Sequence, residues 1–134
     1  GGGAFCNGER ISVSDREPLL SALAATGFAA VRSRVKPDNL GLLRHMAYRV
    51  RGLRRFGSAA IDLCYVADGS IDLFWEYGLH DWDIAAGAVI VSEAGGGVST
   101  IAGDREFLGT GNILATNGRV HKEFLEEASS VAEH

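Results

Sequence analysis

The sequence predicts an α/β fold, a layered sandwich with a mixed, mostly buried sheet flanked by helices. Two observations lead there. From Leu53 onward, short extended runs alternate with helical spacings, the pattern of a sheet covered by helices on both faces. The helical run over residues 81–94 is small or apolar nearly all round, which predicts a helix buried between layers. With 134 residues and 46% apolar side chains, one compact domain buries roughly two-thirds of its unfolded surface.

Along the chain, Gly3-Ala4-Phe5-Cys6-Asn7-Gly8-Glu9 and Ile11-Ser12-Val13-Ser14 place two extended runs around an Asn-Gly pair. Both turn residues tolerate positive φ, so a type I′ hairpin is expected. A small apolar run over 21–26, ahead of Gly27, predicts a buried strand. Leu40, Leu43, Ala47 and Val50 recur at helical spacing over 37–50, with Pro37 suited to a first turn. Next come a short strand to Phe56, a helix over 58–68 closed by Gly69, and a strand over 71–77. The helix over 81–94 stops at Gly95-Gly96-Gly97. Strands around 98–101 and 112–116 follow, then an amphipathic helix from Asn117 or Gly118.

Net charge is −4, unevenly spread: residues 1–56 hold ten basic and four acidic side chains, the remainder three and thirteen. The basic segment with Arg32, Arg34, Lys36, Arg44, Arg49, Arg51, Arg54 and Arg55 raises a nucleic-acid partner. No aromatic or glycine-rich RNA-binding motif accompanies it, so a solvated helix face is the preferred reading. Cys6 and Cys64 lie far apart without a CxxC or Cys/His cluster, and are expected to be reduced and structural. The longest apolar stretch, residues 84–91, is far short of a membrane span, and no signal segment opens the chain, so the expected setting is cytoplasmic with no membrane partner. The chain opens without Met inside a glycine run that reads as an internal turn, so a fragment or processed piece is expected.

Asp83 is the residue most suggestive of chemistry. In a helix first turn, free N–H groups and the positive end of the dipole keep a carboxylate ionised. That suits a plain helix-start aspartate as well as a ligand for a hard cation. One aspartate cannot satisfy the near-octahedral oxygen coordination of Mg²⁺, so further ligands would have to come from elsewhere.

Trp82-Asp83-Ile84-Ala85-Ala86-Gly87 with Glu93-Ala94-Gly95-Gly96 resembles the second signature of the inositol monophosphatase family in residues and spacing. Arg54-Arg55-Phe56-Gly57-Ser58-Ala59-Ala60-Ile61-Asp62-Leu63, the opening glycine hairpin and Gly111-Asn112-Ile113-Leu114-Ala115-Thr116-Asn117 extend the resemblance over almost the whole chain. It implies the C-terminal domain of an inositol monophosphatase/fructose-1,6-bisphosphatase-like fold, with residues 1–14 ending an N-terminal-domain hairpin and 15–134 forming the C-terminal α/β domain. It implies Asp83 as a catalytic, metal- and substrate-binding aspartate, and Glu76 as a reader of polyol hydroxyls. Gly57, Ser58 and Ala59 would approach the substrate at a helix N-terminus, with Ser58 also a helix cap.

The resemblance further implies a magnesium-dependent phosphatase, with inositol monophosphate as the first-choice substrate. Fructose-1,6-bisphosphatase, histidinol-phosphate phosphatase and nucleotide 3′-phosphatase are alternatives on the same scaffold. A homodimer is expected. The first signature, Asp-Pro-Ile/Leu-Asp-Gly-Thr, is missing. Asp68-Gly69-Ser70 with Asp72 lacks its proline and reads as a turn. The isolated piece is therefore expected to be inactive, and a non-catalytic oligomerisation or binding module is the contrasting reading. Trp82 is expected in the core, and His45, His121 and His134 at the surface.

Overall fold

A computed structural model describes residues 1–131, so His134 lies outside the described residues. Strands β1 (Ala4–Cys6) and β2 (Glu9–Ile11) form an antiparallel hairpin. Asn7 (φ 52°) and Gly8 (φ 84°) make its turn, both in the left-handed region that a type I′ turn requires. A 3₁₀ turn at Leu19–Ser21 leads into β3 (Leu23–Thr26), followed by α1 (Ala29–Ser33), α2 (Leu40–Met46), β4 (Gly52–Arg54) and α3 (Ala59–Ala67). The remaining elements are β5 (Leu73–Glu76), α4 (Asp81–Glu93), β6 (Gly97–Ser99), β7 (Ile113–Thr116) and α5 (His121–Ser129).

The main sheet has five strands in the order β4-β3-β5-β7-β6. β3 runs parallel to β4 and β5, and β7 runs antiparallel to β5 and β6, so the sheet is mixed. Strand alternation sends Phe74 to one face and Leu73 and Trp75 to the other. On the Phe74 side, Leu63 and Val66 of α3 pack with Ile84 and Val91 of α4. On the other, Leu42 and Met46 of α2 pack with Phe124 of α5 against Trp75. This is the expected layered sandwich. Gly87 lets α3 and α4 meet closely, since a β-carbon there would lie 2.5 Å from a Leu63 methyl.

Asp72, at the start of β5, is fully buried and ties three segments together. Its carboxylate accepts from Ser14 Oγ, from Arg16 Nη1 at 3.0 Å and from the Leu23 N–H at 2.7 Å. The Asp68-Gly69-Ser70 stretch is the turn its sequence indicated, closed by the Ser70 N–H on Asp68 Oδ1. Among the described residues no helix is long and apolar enough to cross a membrane.

Several local expectations need correcting. The helix expected over 37–50 covers only Leu40–Met46, with Pro37 ahead of it, because the chain breaks into turns after Met46. The short α1 had no helical pattern to announce it. Helix α4 is buried along one face only: Trp82 (80% exposed) and Val89 lie on the open side. Trp82, expected in the core, instead stacks on His80 with centroids 4.3 Å apart. Cys6, expected to be structural, is exposed on β1.

His121 was expected at the surface but is largely enclosed, bonded to Ser99 Oγ and Thr116 Oγ1. His45, also expected at the surface, is half-buried and meets Glu127 at 2.8 Å.

Candidate active site

Three chain segments end at one side of the sheet and face one another there. β5 delivers Glu76 at its C-terminal end, the turn at Gly57 opens α3, and α4 begins with Asp83 in its first turn. Gly57, Ser58, Ala59, Glu76 and Asp83 all line one cleft of about 460 Å³, a volume suited to a sugar-phosphate-sized molecule. A second cleft, of about 470 Å³ beside Tyr77 and Leu125, includes Asp104 but none of those five residues.

Glu76 is held tightly. It is 5% exposed, and Oε2 accepts the Ala29 N–H at 3.0 Å. Burial pushes its pKa up, opposed by the Ala29 hydrogen bond and the charge of Arg32, with Asp83 adding a smaller upward push and Arg55 a downward one. No protein donor reaches Oε1 among the described residues, which leaves that oxygen for a ligand hydroxyl.

The α3 start is built by two residues with different tasks. Gly57 has φ +92°, a conformation that favours glycine; a β-carbon would meet nothing nearer than Arg55 at 3.6 Å, so the dihedral is what requires glycine. Ser58 caps the helix, its Oγ accepting the Ile61 N–H at 3.4 Å. The Ala59 and Ala60 N–H groups have no protein acceptor among the described residues and form a donor pair at the positive end of the helix.

Asp83 caps its own helix: Oδ2 accepts the His80 N–H at 3.0 Å. The helix-start reading and the ligand reading are therefore compatible, because the cap engages one carboxylate oxygen. As a metal site this donor set is partial. Among the described residues no group of three or more His, Cys, Asp or Glu side chains could hold an ion.

The sequence reading missed four contributors to this cleft. Gly27 and Ala29 shape the seat of Glu76, Arg55 lines the rim, and Asp62 of α3 lies 1% exposed in its wall. Asp62 is pushed up to about 7 by burial first and the Glu76 charge second, against the pull of Arg55. One signal could have found it: an acid flanked by Ile61 and Leu63 in an otherwise apolar helix.

A sequence model described as the inositol monophosphatase family matches residues 1–133. The chain is 46% identical over 127 residues to the Nus factor SuhB of Pseudomonas aeruginosa, covering 93% of this chain and 47% of that protein. It is 46% identical over 121 residues to the inositol-1-monophosphatase of Synechocystis, covering 90% and 42% respectively. The structure of an inositol monophosphatase from Anabaena superposes with a TM-score of 0.88 at 39% identity, over 94% of this chain and 51% of that one. The chain thus spans about half the length of the curated relatives it matches.

Proposed function

The chain belongs to the inositol monophosphatase family, and from that premise we propose that it forms the C-terminal part of a magnesium-dependent phosphatase acting on a sugar or inositol phosphate. The single observation that carries the reading is the convergence of Glu76, Asp83 and the α3 N-terminus on one cleft. Inositol monophosphate is the proposed substrate, the protein a cytoplasmic homodimer, and residues 1–14 and 15–134 parts of an N-terminal and a C-terminal domain.

Each residue has a task in that reaction. Glu76 Oε1 accepts hydrogen bonds from ring hydroxyls, and the fixed Ala29 contact orients it. The Ala59 and Ala60 amides donate to oxygens of the bound molecule at the positive end of α3. Asp83 would hold Mg²⁺ through the carboxylate oxygen that does not cap the helix, with further ligands needed from elsewhere. When bound, Mg²⁺ supplies Lewis-acid neutralisation of charge on a phosphate ester and lowers the pKa of water.

Phosphate release by the full-length protein tests the reading. Turnover of inositol monophosphate that requires Mg²⁺ supports it, whereas no release from inositol, fructose, histidinol or nucleotide phosphates removes it. A second reading draws on the relative named Nus factor at 46% identity: a non-catalytic binding or oligomerisation module. A binding role survives Asp83→Asn, and hydrolysis does not.

A further inference from the structure

Two acids share the wall of the cleft. Asp62 comes from the first turn of α3 and Glu76 from the end of β5, and both line the same space. Glu76 has a donor in the Ala29 N–H. Asp62 is buried, and its Oδ1 has no hydrogen-bond partner. Among the described residues, Asn39 Oδ1 and Trp75 Nε1 are also buried without partners, but neither residue lines the cleft. Asp62 is therefore the cleft-lining residue that carries an orphaned buried oxygen.

A buried carboxylate oxygen without a donor is unstable as an anion, and taking up a proton relieves it. Building on the reading of the cleft as a polyol site, we propose that Asp62 and Glu76 act as one acid pair holding a single proton, with Asp62 the positioning residue that keeps the Glu76 carboxylate turned toward the substrate. The proton comes from solvent and no bond other than O–H forms or breaks.

The surroundings favour this arrangement. Glu76 is the acidic neighbour that raises Asp62, and Arg55, from the segment before α3, is the opposing cation. Around Glu76 itself stand Arg32 of α1, Arg55 and Asp83 of α4. Both arginines are exposed and their pull is screened by water. Two buried acids that line one cleft and feel each other's charge titrate as a pair, so the second proton is lost only against the charge of the first anion. Loss of that proton places two like charges together and disturbs the seat of Glu76.

Infrared and kinetic measurements on the full-length protein test the pair. At about pH 6 the wild type shows the carbonyl band of a protonated buried carboxyl group, absent in Asp62→Asn and fading in the wild type above neutrality. Glu76→Gln removes the partner charge, so the band then fades at lower pH. In the wild type the KM for inositol monophosphate, relative to that for p-nitrophenyl phosphate, rises several-fold from about pH 6 to about pH 8.5, while Asp62→Asn stays flat. A wild type lacking the band, or an Asp62→Asn variant that follows the wild-type course, overturns the pair. A protein that shows the band and hydrolyses neither ester keeps the shared proton and removes the phosphatase reading instead.

Discussion

A β-carbon on Gly27 would lie 2.3 Å from Glu76 Oε1, closer than real contacts allow. The end of β3 therefore fixes where the Glu76 carboxylate can stand, alongside the Ala29 N–H that holds its other oxygen. Gly27→Ala should push the carboxylate off this seat. The expected result is a KM for inositol monophosphate raised about tenfold, equivalent to about 1.4 kcal/mol, with the fold retained by circular dichroism.

Asp62 should make the fold less stable as pH rises. Its pKa in the fold, about 7, exceeds its ordinary 3.8, so the native state keeps a proton that the unfolded chain releases. Its contribution is complete below pH 3.8 and is lost as pH rises through about 7. Asp62→Asn should therefore gain stability on the wild type over that window, on the order of a few kcal/mol at about 1.4 kcal/mol per pKa unit. Denaturant midpoints at a series of pH values check this.

His121 should act in the opposite direction. Ser99 Oγ spends its proton on the Thr100 carbonyl at 2.7 Å, so His121 Nε2–H donates to Ser99 and Nδ1 accepts from Thr116 Oγ1. Burial lowers the His121 pKa from 6.5, so the stability contributed by the neutral ring is present above pH 6.5 and is lost as pH falls through the depressed value. His121→Gln should flatten that acid limb in a plot of Tm against pH.

Much of the fold was legible because local chemistry and tertiary packing agree. Asn7-Gly8 dictates its turn, Ser58 caps its helix, and the alternation after Leu53 produces two helical layers around a sheet. The misreadings come from tertiary context. In α4 nearly every position is small or apolar, so the sequence could not say which face turns outward, and Trp82 fell on the open one. His121 is enclosed by hydroxyls from β7, just ahead of it, and from β6, 22 residues away. Among the residues that line the cleft, Glu76 and Asp83 were singled out by the family motif. Asp62 and Gly27 were not, because an acid in a helix first turn and a glycine after a strand each have an ordinary structural use.

In the proposed reading, Asp83 serves as a metal ligand within a phosphatase cleft. Asparagine preserves the helix cap at His80, so Asp83→Asn changes charge with little cost to the fold. Phosphate release from inositol monophosphate, measured across a Mg²⁺ titration of the full-length protein, should fall by about 100-fold or more with a raised Mg²⁺ requirement and an unchanged Tm. Near-normal turnover with an unchanged Mg²⁺ requirement would contradict the account.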